Sequence, residues 1–266
     1  MASQPASEQP CLLEETSRGI TTLTLNRPHA FNALSEDLLD AMTEAFGRLT
    51  SDDTTRVIVL AANGKAFCPG HDLKEMRASS SQEYYQTLFQ RCAEMMQSIV
   101  RCPKPVVARV HGLATAAGCQ LVATCDLAVA SSTAAFGVSG IKQGLFCSTP
   151  SVALSRNVGR KQAFEMLFTG EFVSAEDAVR LGLVNRAVEP DELDSAVDSL
   201  VASMLEKPQS AIEIGKSMFY QQLEMPVAEA YDFAGNVMAC NMMEADASEG
   251  IDAFIEKRRP TWFEEK

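Results

Sequence analysis

A run of small residues at 112–127, GLATAAGCQLVATCDL, constrains the fold of this chain more than any other segment. Within it, Ala116, Ala117 and Gly118 stand where a short helix is predicted to begin. Small side chains let a ligand or another strand reach the main chain, and the first N–H groups of a helix have no intrahelical acceptor. The run therefore predicts either an anion or oxyanion pocket, or a tightly packed Ala/Gly helix in a core.

The composition is typical of a globular protein that binds neither nucleic acid nor an acidic membrane. The 266-residue chain is 46% hydrophobic and has a net charge of −12, whereas phosphate binding needs clustered Lys and Arg. Eight cysteines without a CxxC pair and three scattered histidines predict reduced core thiols and no metal site. Residues 1–10 show no targeting signal and 113–125 are too few to span a bilayer, so we expect a cytoplasmic protein.

Strands and helices alternate in the first part of the chain, and helices dominate the second, which predicts an α/β fold. Alternation at 20–25 predicts a half-buried strand, and the continuous apolar runs at 57–60, 106–110 and 127–130 predict strands covered on both faces. Helices are predicted at 36–49, 76–100, 160–168, 175–181, 191–205, 210–222, 227–244 and 248–258.

Pro208 marks a predicted boundary between two parts of the chain. An α/β core with the ligand site is expected at 12–206, and a helical region at 207–266. Residues 1–11 are expected to form a disordered tail.

Several stretches resemble, in order and spacing, the enoyl-CoA hydratase/isomerase (crotonase) superfamily. They are 25–28 with 32–34 (LNRP, NAL), 65–73 (KAFCPGHDL), 107–127, 175–184 and 249–258 (EGIDAFIEKR). The resemblance implies a crotonase (ClpP-like) spiral of ββα turns whose C-terminal helices form a homotrimer, often within a dimer of trimers. It also implies an acyl-CoA thioester as substrate, with coenzyme A as part of that substrate and no separate cofactor.

The resemblance assigns the thioester oxygen to two main-chain amides, those of His71 and Ala117, as an oxyanion hole. Hydratases of this family also use two glutamates to activate water, and their positions here hold Gln120 and Gly140. A carboxamide takes no proton at neutral pH, and glycine has no side chain. Ordinary hydration is therefore expected to be weak or absent.

Contacts with coenzyme A are implied for three pairs of residues: His29 and Ala30, Ala66 and Phe67, and Phe254 and Lys257. The last pair matches positions that reach a CoA bound mainly on a neighbouring subunit. A spacing of three places Phe254 and Lys257 on one helical face. The alternative is that Phe254 is an ordinary core residue and Lys257 a solvated surface residue.

Two other functions stay open at this point. Loss of CO₂ from a malonyl- or methylmalonyl-type thioester yields an enolate without a base, so a decarboxylase needs only the oxyanion pocket. The Gly70-His71-Asp72 segment resembles such enzymes, with Lys142 as the nearby cation. A non-catalytic acyl-CoA-binding oligomer would also be compatible with the loss of both glutamates.

Overall fold

A computed structural model describes residues 9–263 and shows two β-sheets with helices packed around them. The strands in this range are β1 (Leu12–Ser17), β2 (Ile20–Leu25), β3 (Val57–Ala62), β4 (Ala66–Cys68), β5 (Val106–Val110), β6 (Leu113–Thr115), β7 (Leu127–Ser131), β8 (Ala135–Gly137), β9 (Val173–Ser174) and β10 (Arg186–Val188). The α-helices in it are α1 (Glu36–Thr50), α2 (Leu73–Ala78), α3 (Gln82–Arg101), α4 (Ala117–Thr124), α5 (Ser148–Asn157), α6 (Arg160–Thr169), α7 (Ala175–Leu181), α8 (Leu193–Leu205), α9 (Gln209–Leu223), α10 (Val227–Asn241) and α11 (Ala245–Glu256).

From β3 to β8, consecutive strands alternate between the larger and the smaller sheet. The larger sheet has the order β1-β2-β3-β5-β7-β10 and the smaller sheet the order β4-β6-β8-β9. β3, β5 and β7 pair in parallel in the larger sheet, and β4, β6 and β8 pair in parallel in the smaller one. Between β3 and β8 each turn of the chain adds one strand to each sheet, which confirms the predicted crotonase-type spiral with a helical C-terminal region.

Local sequence signals explain several of the element boundaries. The alternating pattern at Ile20–Leu25 gives β2 with the predicted bounds. Ser35 caps α1, because its hydroxyl accepts a hydrogen bond from the amide of Leu38 at 3.3 Å. The predicted helix at 76–100 is instead divided into α2 and α3, because Ser81 caps a new helix by accepting from the amide of Tyr84 at 3.1 Å.

Both faces of the larger sheet are covered, as the continuous apolar runs predict. All six residues of β3 are buried. One face contributes to the main core with α1, α3 and α4. The other face packs against α8, and this second cluster consists of Val57, Val59, Val107, Val129, Leu193, Val197 and Val201.

The chain segment before β1 is held by the end of β2. The amide of Asn26 donates to the carbonyl of Cys11 at 2.7 Å, and its side chain donates to the carbonyl of Pro10 at 2.9 Å. Residues 9–11 of the predicted tail are therefore fixed to the larger sheet. Residues 1–8 of that tail, and 264–266 of the predicted helical region, lie outside the described residues.

A buried ion pair fastens α9 to the core. The Lys216 ammonium group lies 2.7 Å from an Asp126 carboxylate oxygen and also donates to the carbonyls of Ile99 and Lys104 at 2.9 Å. The Tyr220 hydroxyl donates to the other Asp126 oxygen at 2.7 Å. Asp126 is therefore a structural carboxylate, which links the start of β7 to the C-terminal helices.

The C-terminal helices leave a large apolar surface uncovered. α10 contains no buried residue. Exposed large apolar side chains of α9, α10, α11 and their connections are Phe219, Leu223, Val227, Tyr231, Met238, Met242, Met243, Ile251, Phe254 and Ile255. A surface of this kind on one chain is typical of an interaction site. Within residues 9–263, no helix has both the length and the apolarity needed to cross a membrane.

Replacing Asp126 should destabilise the fold strongly. In Asp126→Ala the Lys216 ammonium group stays buried without its counter-charge, and we expect the free energy of unfolding to fall by about 3–5 kcal/mol. Urea denaturation followed by circular dichroism measures the change. Arg180→Ala is the matched control, because its pairs with Glu176 and Asp177 are exposed and should change stability by less than about 1 kcal/mol. Equal losses in the two variants would contradict the structural role of Asp126.

Candidate active site

Three loops meet at one edge of the smaller sheet. β4, β6 and β8 are parallel neighbours, so the segments that follow them emerge side by side. These segments contain the predicted site residues His71, Ala117, Gln120 and Gly140. The amide of Ala116 bonds the carbonyl of Gly137 at 2.9 Å, which joins the second loop to the third.

The first two loops touch through two glycines, Gly70 and Gly118, at which an added Cβ would be strained or would collide with the neighbouring segment. Gly70 has a φ of +103°, and a Cβ atom built on it would lie 3.0 Å from Ala116 Cβ and 3.2 Å from the Ala117 nitrogen. A Cβ on Gly118 would lie only 2.0 Å from the carbonyl oxygen of Cys68. The start of α4 therefore packs directly on the end of β4, and both predicted amides belong to one small region.

The main-chain N–H of His71 points away from Leu34, the residue with which His71 forms an isolated β-bridge. Leu34 donates to the carbonyl of Gly70 at 2.8 Å and accepts from the amide of Asp72 at 3.0 Å. His71 lies between these two residues, and in a parallel bridge the middle residue directs its N–H away from the partner segment. Within residues 9–263, no group accepts a hydrogen bond from this amide.

The amide of Ala117 begins α4 and has no intrahelical acceptor. The preceding Ala116 has φ +50° and ψ −121°, a backbone conformation that residues other than glycine rarely adopt. The first bond of the helix runs from the amide of Gln120 to the carbonyl of Ala116 at 3.0 Å. No acceptor for the Ala117 amide occurs in the described part of the chain, so it can bind an external oxygen, favoured by the positive end of the helix dipole.

The imidazole of His71 is buried without hydrogen-bond partners. Both ring nitrogens expose less than 1 Å² and neither is bonded within the described chain. The ring lies edge-on to Phe89 of α3, with centroids 5.5 Å apart. Burial lowers the pKa of His71 to about 4, and the nearby backbone of Leu34 opposes this shift only in part. The ring is therefore neutral at pH 7.

The two positions predicted for the family glutamates, Gln120 and Gly140, carry no ionisable group and differ in the space around them. Gln120 is 5% exposed, and its Oε1 has no hydrogen-bond partner among the described residues. A Cβ on Gly140 would lie 2.6 Å from the carbonyl oxygen of Leu145 and 2.7 Å from Cys147 Sγ. The loop therefore packs directly against Gly140, and any longer side chain there would require Leu145 or Cys147 to move.

The remaining polar groups near these loops are already engaged or inert. Asp72 pairs with Arg27 at 3.1 Å and caps α2 by accepting from the amide of Lys74. Lys142 pairs with Glu171 at 2.8 Å. Burial raises the pKa of the Cys147 thiol, which opposes formation of a nucleophilic thiolate. Within residues 9–263, no group of three or more His, Cys, Asp or Glu side chains could hold a metal ion.

The residues predicted to contact CoA lie in different surroundings. His29 is exposed on the 3₁₀ turn Pro28–Ala30, and Ala30 is half-buried beside it. Phe67 is fully buried in β4, so only its main chain is available to a ligand. The carbonyl of Ala66 already accepts a hydrogen bond from the side chain of Asn32 at 2.9 Å.

The pair on the C-terminal helix is exposed. Phe254 is 84% exposed, so it is not part of the core of this chain. The predicted shared helical face is wrong, because α11 ends at Glu256 and Lys257 follows it in a left-handed conformation with φ +56°. Neither residue is therefore committed to packing within its own chain.

The sequence did not predict that the side chain of Asn32 joins three segments near the site. Its side chain accepts from the amide of Arg27 at 2.9 Å and donates to the carbonyls of Asn63 and Ala66 at 2.7 and 2.9 Å. Asn32 has a φ of +63°, a conformation that Asn adopts more readily than most residues. It ties the LNRP and NAL segments to β4 and so fixes the strand that leads to His71.

A family model for enoyl-CoA hydratase/isomerase matches residues 15–265. The chain therefore belongs to the enoyl-CoA hydratase/isomerase family. Over 258 residues it is 42% identical to an enoyl-CoA hydratase domain-containing protein 3, mitochondrial, from Rattus norvegicus, covering 97% of this chain and 86% of that protein.

Two solved structures are also very similar. An enoyl-CoA hydratase from Mycobacterium smegmatis has a TM-score of 0.95 and 62% identity, covering 96% of this chain and all of that one. Human enoyl coenzyme A hydratase domain-containing protein 3 has a TM-score of 0.92 and 40% identity, with the same coverage.

The predicted cytoplasmic location is wrong. The rat relative and its counterparts from other vertebrates are named as mitochondrial proteins. These names point to the mitochondrion. The absence of a recognisable signal in the first residues of the chain does not establish a cytoplasmic location.

Replacing Gly118 should disrupt the contact on which the site is built. In Gly118→Ala the new methyl group meets the Cys68 carbonyl, and we expect the free energy of unfolding to fall by about 1–3 kcal/mol or more. Gly47→Ala is the control, because an added Cβ there has nothing within 4 Å and helix propensity should raise stability by about 0.5–1 kcal/mol. Thermal denaturation compares the two variants, and a neutral Gly118→Ala would contradict the contact.

Acidification should weaken the fold through His71. Its folded pKa of about 4 lies below the usual 6.5, so the unfolded chain takes up a proton first as the pH falls. Stability that is present above pH 6.5 is therefore lost towards pH 4, by up to about 3 kcal/mol. Urea denaturation between pH 7 and 4 should show a smaller loss for His71→Phe than for the unmodified chain. Equal losses would show that the folded imidazole titrates normally.

Proposed function

We propose that this protein binds an acyl-CoA thioester and polarises its carbonyl group with the amides of His71 and Ala117. The observation that carries the proposal is the contact of Gly70 with Ala116 and Ala117, which brings together two amides that have no acceptor within residues 9–263. A thioester oxygen between them would accept two hydrogen bonds. Membership of the enoyl-CoA hydratase/isomerase family supports an acyl-CoA ligand.

Polarisation of this kind stabilises an enolate. Negative charge gathers on the thioester oxygen when a nucleophile adds to the β-carbon or when a group leaves the α-carbon. Fixed donors directed at that oxygen are worth about 3–4 kcal/mol each, because they need no reorganisation during the reaction. The donors belong to the main chain, so this function does not depend on the side chains at 71 and 117.

Hydration of an enoyl thioester by this site should be slow. With Gln120 and Gly140 in the two glutamate positions, the site lacks a side chain that can activate water there. General acid–base catalysis typically contributes about 10²–10⁴-fold. We therefore infer an acyl-CoA enzyme of altered or weak activity within the hydratase/isomerase family.

The decarboxylase alternative has less support. A malonyl-type substrate brings a carboxylate that a cation would hold, and Lys142 is engaged by Glu171. Release of CO₂ from malonyl-CoA above background would favour this alternative. Tight binding of acyl-CoA without turnover of any thioester would favour a non-catalytic binding protein.

We further propose a homotrimer, in which α11 of one subunit completes the CoA site of the next. The exposed apolar surface of α9–α11 supports such an assembly. The Phe254 ring and the Lys257 ammonium group would contact the adenine and phosphate end of CoA. The main chain near Ala66 and Phe67 and the turn at His29 and Ala30 would contact the same ligand from its own subunit.

Removing the Ala117 N–H should reduce any turnover of acyl-CoA. Proline lacks an amide hydrogen but is tolerated at the first residue of a helix, so Ala117→Pro deletes one donor. We expect kcat to fall by about 10²–10³-fold, measured with a panel of acyl-CoA thioesters. Gln82→Pro, which changes the exposed first residue of α3, is the control and should retain activity. Unchanged turnover in Ala117→Pro would exclude the amide from the reaction.

Restoring one carboxylate should increase hydration. The unmodified protein is expected to hydrate crotonyl-CoA near the background rate, and Gln120→Glu to raise that rate at least about tenfold. Gln120→Met has a similar size but no acid–base group, so it serves as the control. Efficient hydration by the unmodified protein would show that the acid–base positions are assigned wrongly. Gly140→Glu is unsuitable, because Leu145 and Cys147 occupy the space.

A further inference from the structure

The chain folds back on itself directly after α11. Lys257 has φ +56° and ψ +37°, a left-handed conformation that residues other than glycine, asparagine and aspartate rarely adopt. The reversal allows the amide of Arg258 to donate to the carbonyl of Ala253 at 3.0 Å, a hydrogen bond of the type that closes a helix end. Since Lys257 lies outside the helix, α11 alone does not fix its position.

A set of hydrogen bonds centred on Glu249 holds the folded-back segment. The Arg258 guanidinium group donates to both carboxylate oxygens of Glu249, at 2.6 and 2.8 Å, and the amide of Thr261 donates to the same carboxylate at 2.7 Å. The Trp262 ring packs beside them, since a Cβ built on Gly250 would lie 2.9 Å from it. Glu249, Arg258 and Thr261 form a terminal clamp, which ties the segment after α11 to the first half of that helix.

The terminal clamp also decides which charges near the end of α11 are neutralised. Arg258 donates to Glu256 at 2.6 Å as well as to Glu249, so it pairs with both carboxylates. Hydrogen bonds from Arg258 and from the Thr261 amide lower the pKa of Glu249 to about 2, so this carboxylate stays charged at neutral pH. Lys257 is exposed and has no ion pair within residues 9–263. Its ammonium group is therefore available to an external anion.

We propose that Glu249 is a positioning residue for coenzyme A, because through Arg258 it holds Lys257 as a free cation for the phosphate groups of the nucleotide end. This inference rests on the proposed function, in which Lys257 of one subunit reaches the CoA bound to the next. Glu249 itself does not touch the ligand. It affects binding of the nucleotide end and leaves the acyl and pantetheine parts unaffected.

Loss of the terminal clamp would weaken phosphate binding for two reasons. A lysine attracts phosphate as a point charge, and binding costs less conformational entropy when the segment that carries the lysine is already held in place. A carboxylate that is not paired with Arg258 could also pair with Lys257 and compete with the phosphate. Both effects depend on Lys257, so neither should occur once that lysine is absent.

Binding measurements with two thioesters test the proposal. Butyryl-pantetheine contains the acyl and pantetheine parts of butyryl-CoA and none of its phosphates. Isothermal titration of the unmodified protein should give a Kd at least about tenfold lower for butyryl-CoA. In Glu249→Ala and in Arg258→Ala this ratio should fall about fivefold, while the Kd for butyryl-pantetheine stays unchanged. Glu176→Ala is the matched control, because its carboxylate forms an exposed pair with Arg180 on another helix, and it should keep the ratio.

A double-mutant cycle with Lys257→Ala distinguishes positioning from a general structural role. Because Glu249 acts through Lys257, Glu249→Ala should cause no further loss in the Lys257→Ala background. Analytical ultracentrifugation should show the same oligomeric state in Glu249→Ala as in the unmodified protein.

Four results would overturn this inference alone: an unchanged ratio in Glu249→Ala, equal losses for both thioesters, a further loss in the Lys257→Ala background, or a changed oligomeric state. Equal binding of both thioesters by the unmodified protein would also overturn the proposed contact of Lys257 with CoA. Binding of neither thioester would overturn the proposed function as a whole.

Discussion

The contact between Gly118 and the carbonyl of Cys68 holds the candidate site together. It allows the first turn of α4 to rest on the end of β4 without a side chain between them. The same approach brings Gly70 against Ala116 and Ala117, so that two amides from different turns of the spiral become neighbours. A larger residue at 118 would push β4 and α4 apart, and with them the two proposed amide donors.

The site combines a main-chain part typical of its family with side chains that depart from it. The amides of His71 and Ala117 are positioned by strand pairing and by the start of a helix, which are properties of the fold. At the two positions predicted for proton-transferring glutamates, Gln120 and Gly140 carry no acid or base, and the loop that holds Leu145 and Cys147 packs against Gly140. Under the proposed function, the site would bind and polarise a thioester without the usual acid–base groups.

Much of this fold could be predicted from local sequence. The alternation at 20–25 and the helix signals at 36–49 and 175–181 depend on residues within one strand or a few turns, and the structure has β2, α1 and α7 at those places. The small-residue run located the start of α4 for the same reason. Strands such as β4 and β8 have only three residues each, so they carry no periodicity from which they could be predicted.

Other features depend on distant parts of the chain. The closure at Gly140 arises because Leu145 and Cys147 fold back over it, and no pattern at Gly140 itself indicates this. Burial of the His71 ring depends on Phe89 from α3, a helix whose packing could not be derived from its own sequence. The separation of α2 from α3 followed from a cap at Ser81 inside what had the periodicity of one helix.

Hydrogen-bond donors that belong to the main chain also affect which amino-acid replacements a protein of this kind can accept during evolution. Every amino acid except proline has a main-chain amide hydrogen, so a replacement at position 71 or 117 that the packing tolerates would keep the proposed donor. Side chains around it are free to diverge, and a lineage can lose one reaction while it still captures the same thioester. Because such a scaffold would already bind and polarise the thioester, a new reaction would require only a new side chain that acts on the bound ligand.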